Sequence, residues 1–113
     1  MQQTEALTVS ELTGHIKAVL ENTFPSLWVS GELSGITQPR SGHVYFTLKD
    51  DDAQIRGVMW RSMAAKLDFE LEDGQEVLCF GDVEVYAPRG SYQIVVRKMQ
   101  PQGIGALQLA FQQ

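Results

Sequence analysis

The sequence has 113 residues, 43% of them hydrophobic and 20% charged, with a formal net charge of −5, which predicts one folded domain and excludes disorder by composition. Its single cysteine, Cys79, excludes an intramolecular disulfide and a zinc ribbon, and is expected to be a small core residue. No apolar run approaches the ~20 residues of a membrane span, and residues 1–5 lack the basic start of a secretory signal, so we expect a cytoplasmic protein without membrane association.

The first predicted element is an amphipathic helix within residues 1–25. Thr8 and Glu11 have the spacing of a capping box, in which each side chain accepts a hydrogen bond from the backbone of the other residue. Apolar residues then recur at helical spacing, namely Val9, Leu12, Ile16, Val19 and Leu20. The helix is expected to end at Phe24, before Pro25. Because one amphipathic helix is not stable alone, we expect this one to cover the remaining fold.

From Leu27 onward the apolar period changes to two, which predicts strands. Five segments fit this pattern, 27–36, 43–49, 53–60, 75–86 and 91–99, and a short helix is expected within residues 61–71. The acidic run at residues 50–52 is expected to form the tight turn between the second and third strands. A metal site is the alternative for this run, but the sequence lacks the ligand spacing of a calcium-binding loop.

The order of three strands, a helix and two strands predicts a mainly β fold, a five-stranded OB-fold Greek-key barrel. We assign residues 26–101 to this barrel, with Trp28 and Tyr92 expected in its core. Residues 102–113 are expected to be a linker and the start of a helix that leads to a further domain. The alternative is a natural C-terminal helix that docks back onto the barrel.

Basic and acidic residues are unevenly distributed along the chain. Residues 62–86 contain seven acidic residues and one basic residue, whereas residues 87–113 contain three basic residues and no acidic one. Local potential, rather than net charge, decides whether a protein attracts a polyanion. The negative net charge therefore permits nucleic-acid binding.

The candidate site is the outer face of the second and third strands, where OB-folds bind their ligands. Regular alternation places Arg56 and Trp60 outside the barrel, whereas a bulge after Gly57 would reverse that parity. Bases that stack on aromatic rings beside guanidinium groups are typical of single-strand binding. The predicted DNA-binding residues are a central set, Tyr45, Arg56, Trp60 and Arg61, flanked by Arg40, Lys49, Arg89 and Arg97. In the alternative interpretation, Trp60 and Tyr45 complete the core and the cations are scattered over the surface.

No catalytic residue, metal or cofactor is predicted within this chain. His15 lies on the helix and His43 begins a strand, and neither has a nucleophile or a carboxylate at motif spacing.

Five segments carry a resemblance to a known family. They are, in order, LTVSEL at residues 7–12, WVSGELS at 28–34, GHVYFTLKD at 42–50, YAPRGSYQ at 86–93 and MQPQGIGAL at 99–107. Together they resemble the bacterial exodeoxyribonuclease VII large subunit over nearly the whole chain.

The resemblance implies that the chain is the N-terminal OB-fold domain of that subunit, which binds single-stranded DNA for a catalytic domain further along. It also implies a cytoplasmic holoenzyme, formed with the small subunit, that degrades single-stranded DNA from both ends into oligonucleotides. The family's DNA-contacting aromatic–arginine pair falls on Trp60 and Arg61, with tryptophan in place of the usual phenylalanine. Gly57 replaces a common cysteine and Ala87 a common glutamate. No catalytic residue is carried over, because the family's catalytic domain has no counterpart in these residues.

A different class of function remains open from the sequence. The acidic block at residues 62–86 would repel DNA and needs another use, which suggests an OB-fold module for protein–protein assembly with little DNA affinity of its own.

Overall fold

The computed structural model describes residues 5–102, in which five strands close into a barrel in the order β1-β2-β3-β5-β4. The strands are β1 (Leu27–Thr37), β2 (Val44–Lys49), β3 (Gln54–Met59), β4 (Glu76–Tyr86) and β5 (Ser91–Pro101). All neighbouring strands are antiparallel except β3 and β5, which are parallel. The five-stranded barrel is confirmed, and the predicted strand ends differ from the observed ones by one or two residues. The helix start expected after residue 102 lies outside the described residues.

Alternating side chains fill the barrel core. On β2, Val44, Phe46 and Leu48 are buried. The other strands add Leu33, Met59, Val77, Cys79, Ile94, Val96 and Met99. Cys79 is fully buried, as predicted, and burial raises the pKa of its thiol to about 12.

Helix α1 (Val9–Thr23) begins with the predicted capping box. The Glu11 N–H donates to the Thr8 hydroxyl at 3.0 Å, and the Thr8 N–H donates to the Glu11 carboxylate at 2.8 Å. These bonds satisfy two N–H groups that have no partner within the helix.

The position of α1 follows from the length of the β4–β5 hairpin. Residues 82–86 of β4 pair with β5 alone, so no other strand covers this part of β4, and α1 lies against it. Ile16 and Leu20 line a cavity of about 100 Å³ with Val85 and Tyr92. No residue of α1 is buried, and Ile16 keeps 46% of its surface exposed. The helix therefore contacts the end of the hairpin rather than closing over the barrel core.

Two aromatic residues expected in the core are exposed, which corrects that prediction. Trp28 is 49% exposed, because it lies opposite Phe80 on the outer face of the sheet. Tyr92 is 56% exposed, because it lies on the end of the hairpin, opposite Val85 and beyond the core that begins at Ile94.

The connections after β2 and β3 are short. Asp50 closes the first: its carboxylate accepts the N–H groups of Asp52 at 2.8 Å and Ala53 at 2.9 Å. These two hydrogen bonds lower the pKa of Asp50. Helix α2 (Arg61–Ala64) follows β3, which confirms the short helix predicted within residues 61–71. Within residues 5–102 no three His, Cys, Asp or Glu side chains converge as metal ligands, and no helix there is long and apolar enough to cross a bilayer.

Candidate nucleic-acid interface

The outer face of β2 and β3 brings two of the predicted binding residues together. The two strands pair in unbroken antiparallel register, so no bulge interrupts β3. In this register Arg56 lies opposite Thr47, and Tyr45 lies opposite Val58. Because directly opposite residues share a face, Tyr45 and Arg56 both project outward. Regular alternation, rather than the bulged alternative, is the correct description of β3.

A groove of about 330 Å³ lies on this face and is lined by both side chains. Val58, which is only 2% exposed although it lies on this face, also lines the groove. Tyr45 is 41% exposed, and Arg56 is also exposed. A flat ring and a guanidinium group are therefore accessible in one shallow depression.

Trp60 extends the aromatic surface past the end of β3. Its side chain is 43% exposed, so the interpretation of Trp60 and Tyr45 as core residues is wrong. His43 contacts both rings edge to face: its ring centroid lies 6.4 Å from that of Tyr45 and 5.2 Å from that of Trp60. Edge-to-face pairs at such distances are attractive. We call Tyr45, His43 and Trp60 the aromatic row.

His43 also fixes the backbone that carries the aromatic–arginine pair. Trp60 is the N-cap residue of α2, and its side chain makes no capping hydrogen bond. The first N–H groups of a helix have no partner within it. The Arg61 N–H donates instead to Nδ1 of His43, at 2.9 Å. This hydrogen bond requires a neutral imidazole whose proton is on Nε2. One side chain therefore positions both Trp60 and Arg61.

This role of His43 is not evident from the sequence. The bond to Arg61 joins residues 18 positions apart, so neither helix nor strand periodicity indicates it. The one available signal was the alternation that places His43 on the same face as Tyr45.

The side chain of Arg61 runs along the loop between β1 and β2. Its Cγ lies 3.0 Å from the position that a Cβ on Gly42 would occupy, and Gly42 has a positive φ of 90°. Glycine is favoured at this φ and also leaves room for the arginine. Arg61 and Gln38 line a cavity of about 670 Å³ here. Arg40, exposed in the same loop, adds a second cation to this end of the barrel.

The three other predicted cations lie apart from the aromatic row. Lys49 shares the outer face of β2 but lies 3.9 Å from the carboxylate of Glu32. Arg89 is exposed in the turn between β4 and β5. Arg97 lies on β5, where its Nε is 3.4 Å from the carboxylate of Asp82. The outer face of β2 and β3 thus carries Tyr45 and Arg56, Trp60 and Arg61 follow at the end of β3, and Arg97 lies on another part of the barrel.

The guanidinium groups beside the aromatic row are not neutralised. Among the residues described, neither Arg56 nor Arg61 forms an ion pair. Exposed guanidinium groups are suited to phosphate, because their planar fork of donors matches its oxygens. This face therefore offers aromatic rings for stacking and cationic groups that can bind phosphate, as proteins that bind single strands do.

Comparison with family models gives a match over residues 7–100 to the "OB-fold nucleic acid binding domain". The chain belongs to this OB-fold family. The OB-fold domain is 68% identical over 109 residues to the exodeoxyribonuclease 7 large subunit of Rhodopirellula baltica, with 96% of this chain and 25% of that protein covered. It is 53% identical over 105 residues to the protein of the same name from Geotalea uraniireducens, with 93% and 24% covered. The chain thus spans about a quarter of the length of these relatives.

Solved structures show the same fold. The OB-fold domain superimposes with a TM-score of 0.57 and 17% identity on a chain of a replication protein A heterotrimer bound to single-stranded DNA, covering 77% of this chain and 65% of that one. With the second OB-fold domain of replication protein A from Methanococcus maripaludis the TM-score is 0.52 at 24% identity, with 67% and 82% covered. At these identities the likeness concerns the fold alone.

Proposed function

We propose that this OB-fold domain binds single-stranded DNA for an exodeoxyribonuclease VII large subunit. The observation that carries the proposal is the outer face of β2 and β3, where the aromatic row lies beside Arg56 and Arg61 without an intervening carboxylate partner. Bases would stack on Trp60 and Tyr45 while the guanidinium groups contact phosphates.

The mode of binding follows from the groups present. Stacking accepts every base because every base has a π face, so binding is expected to be tolerant of sequence. The exposed rings stand on a barrel wall, and a strand with unpaired bases can reach them, whereas the bases of a duplex are stacked on one another. Single strands should therefore compete far better than duplexes.

For the longer protein, the proposal takes its activity from the family that the sequence resembles. The full-length subunit would hydrolyse phosphodiester bonds of single-stranded DNA from both ends, with the small subunit, in the cytoplasm. This OB-fold domain would hold the strand for a catalytic domain outside the chain. The division into residues 1–25, 26–101 and 102–113 belongs to the same proposal.

Fluorescence anisotropy of a labelled oligothymidylate, titrated with the 113-residue chain at several salt concentrations, tests the proposal. The logarithm of the affinity should fall linearly with that of the salt concentration, by about 0.7 for each phosphate contact on a single strand. Arg61→Gln should weaken binding and flatten that slope by about 0.7. Lys17→Gln is the matched control, because it removes the same charge from α1, where Lys17 pairs with Glu21.

Two results would contradict the proposal. An affinity that does not respond to salt would indicate that the domain serves protein–protein assembly instead. An equal loss in the Arg61 and Lys17 variants would mean that net charge, rather than this face, determines binding.

A further inference from the structure

A second aromatic and basic surface lies on the outer face of β1, β4 and β5. Trp28 on β1 lies opposite Phe80 on β4, and Phe80 lies opposite Lys98 on β5. Since opposite residues share a face, the three form one row across three strands. The next residues along β4 and β5, Cys79 and Met99, are buried in the core, so the row faces outward. We call Trp28, Phe80, Arg97 and Lys98 the second platform.

The contacts within the second platform leave its binding groups accessible. The centroids of the Trp28 and Phe80 rings lie 5.0 Å apart. The Arg97 guanidinium carbon lies 5.1 Å from the Phe80 centroid, and the Lys98 ammonium lies 5.6 Å from it. Such distances allow cation–π attraction, which holds both cations near the aromatic pair. Phe80 is thus flanked by neighbours, while Trp28 is 49% exposed.

Arg97 is held in place by acceptors on its other side. Its Nε lies 3.4 Å from the Asp82 carboxylate, and its Nη2 donates to the Ser26 hydroxyl, which in turn donates to Asp82 at 2.6 Å. Asp82 therefore neutralises much of the charge of Arg97. Within residues 5–102 Lys98 forms no ion pair, so it is the main free cation of the platform.

A cavity of about 510 Å³ separates the platform from α2. Phe80, Met63 and Met99 give it an apolar surface, and Lys66 and Asp68 add one charge of each sign to its lining. This volume is in the range of small-molecule sites. Arg61, at the start of the same helix, lines a different cavity. The platform is thus separate from the face that carries the aromatic row.

We propose that the second platform is an additional binding site for single-stranded nucleic acid, with a base stacked on Trp28 and a phosphate held by Lys98 and Arg97. An exposed indole beside cations that rest on a second ring matches a base and its phosphate. The proposal deepens the proposed function, because the ligand is of the same class, but it depends on different residues.

The two tryptophans of the chain allow each site to be observed separately, because one lies on each surface. In the Trp60→Phe variant, intrinsic tryptophan fluorescence reports only on Trp28. In the Trp28→Phe variant it reports only on Trp60. Both changes keep an aromatic ring, so each binding surface is retained. Each variant is titrated with oligothymidylates of increasing length.

We expect oligothymidylate to quench Trp28 in the Trp60→Phe variant. Adding Lys98→Ala to that variant should lower the affinity measured through Trp28 quenching at least 5-fold. It should also flatten the dependence of the logarithm of this affinity on that of the salt concentration by about 0.7, because one phosphate contact is lost. The Trp28→Phe variant with Lys98→Ala should still show quenching of Trp60 by short oligonucleotides.

Quenching of Trp60 without any change at Trp28 would overturn the second platform and leave the proposed function intact. If neither tryptophan responds, both proposals fail. Quenching of Trp28 that changes neither with the salt concentration nor with the Lys98→Ala substitution would overturn the platform as a phosphate-binding site. A Trp28 emission that changes with protein concentration alone would show that a second copy of the chain occupies this surface instead.

Discussion

Replacing Trp60 by leucine removes the stacking surface at the end of β3 and keeps an apolar side chain there. Stacking on an aromatic side chain contributes about 1–3 kcal/mol per base. At 1.4 kcal/mol for each tenfold change, the affinity for an oligothymidylate should fall about 5- to 150-fold. The Trp60→Phe variant retains a π face and should lose much less.

The folded state should tolerate this change. Trp60 is 43% exposed, and leucine keeps an apolar side chain at this position. Leucine is smaller than tryptophan, but at a site this exposed the exchange should cost about 1 kcal/mol, well below the roughly 3–5 kcal/mol for truncating a buried tryptophan. The thermal midpoint should therefore move by only a few degrees, since 1 kcal/mol corresponds to about 4–8 °C in a domain of this size.

Anisotropy and thermal unfolding measured on the same samples separate binding from stability. Phe24→Leu is a matched control, because Phe24 is 44% exposed but lies beside Glu84 and away from the aromatic row. It should leave the affinity unchanged. The reasoning is refuted if Trp60→Leu unfolds the domain while binding per folded molecule is unaltered, or if Phe24→Leu weakens binding to the same extent.

Three further predictions test the surroundings of this site and the core. His43→Asn keeps an acceptor near the position of Nδ1, whereas His43→Phe keeps a ring but leaves the Arg61 N–H without its partner, so the asparagine variant should bind DNA more tightly. Equal affinities of the two variants, measured by anisotropy, would show that the hydrogen bond does not contribute to binding. The raised pKa of Cys79 means that the unfolded thiol ionises first, so the contribution of Cys79 to the free energy of unfolding, followed by urea denaturation, should be constant below pH 9 and fall between pH 9 and 12. Cys79→Ala should lack that part of the fall, and an identical profile would contradict the assignment. Gly57→Ala should lower the free energy of unfolding by about 1–3 kcal/mol in the same assay, because its Cβ would come within 2.3 Å of the Phe46 ring. An unchanged urea midpoint would show that the ring moves aside at no cost.

The sequence predicted the barrel because alternation along each strand is a local signal. Val44, Phe46 and Leu48 show the core face of β2 directly, and Thr8 with Glu11 marks the start of α1. Arg56 and Trp60 were placed outside by the same alternation, and the unbroken register supports it. These features depend on neighbours within a few residues.

Other features depend on distant parts of the chain, and periodicity could not reveal them. Trp28 is exposed because its register opposite Phe80 places it on the outer face of the sheet. Tyr92 is exposed because β4 and β5 extend past the barrel. The bond from Arg61 to His43 exists only once β2 and the start of α2 meet. The position of Arg97 beside Asp82 likewise follows from the pairing of β4 with β5. Strand registry, which sets all four, is a property of the assembled sheet.

The most direct test of where DNA binds is an NMR titration of the ¹⁵N-labelled chain with a short oligothymidylate. We expect the largest shifts of backbone amides to cluster at residues 43–47 and 56–62, with the Arg61 amide among them because it donates to His43 beside Trp60. Shifts concentrated on α1, with residues 43–47 and 56–62 unmoved at saturation, would contradict it.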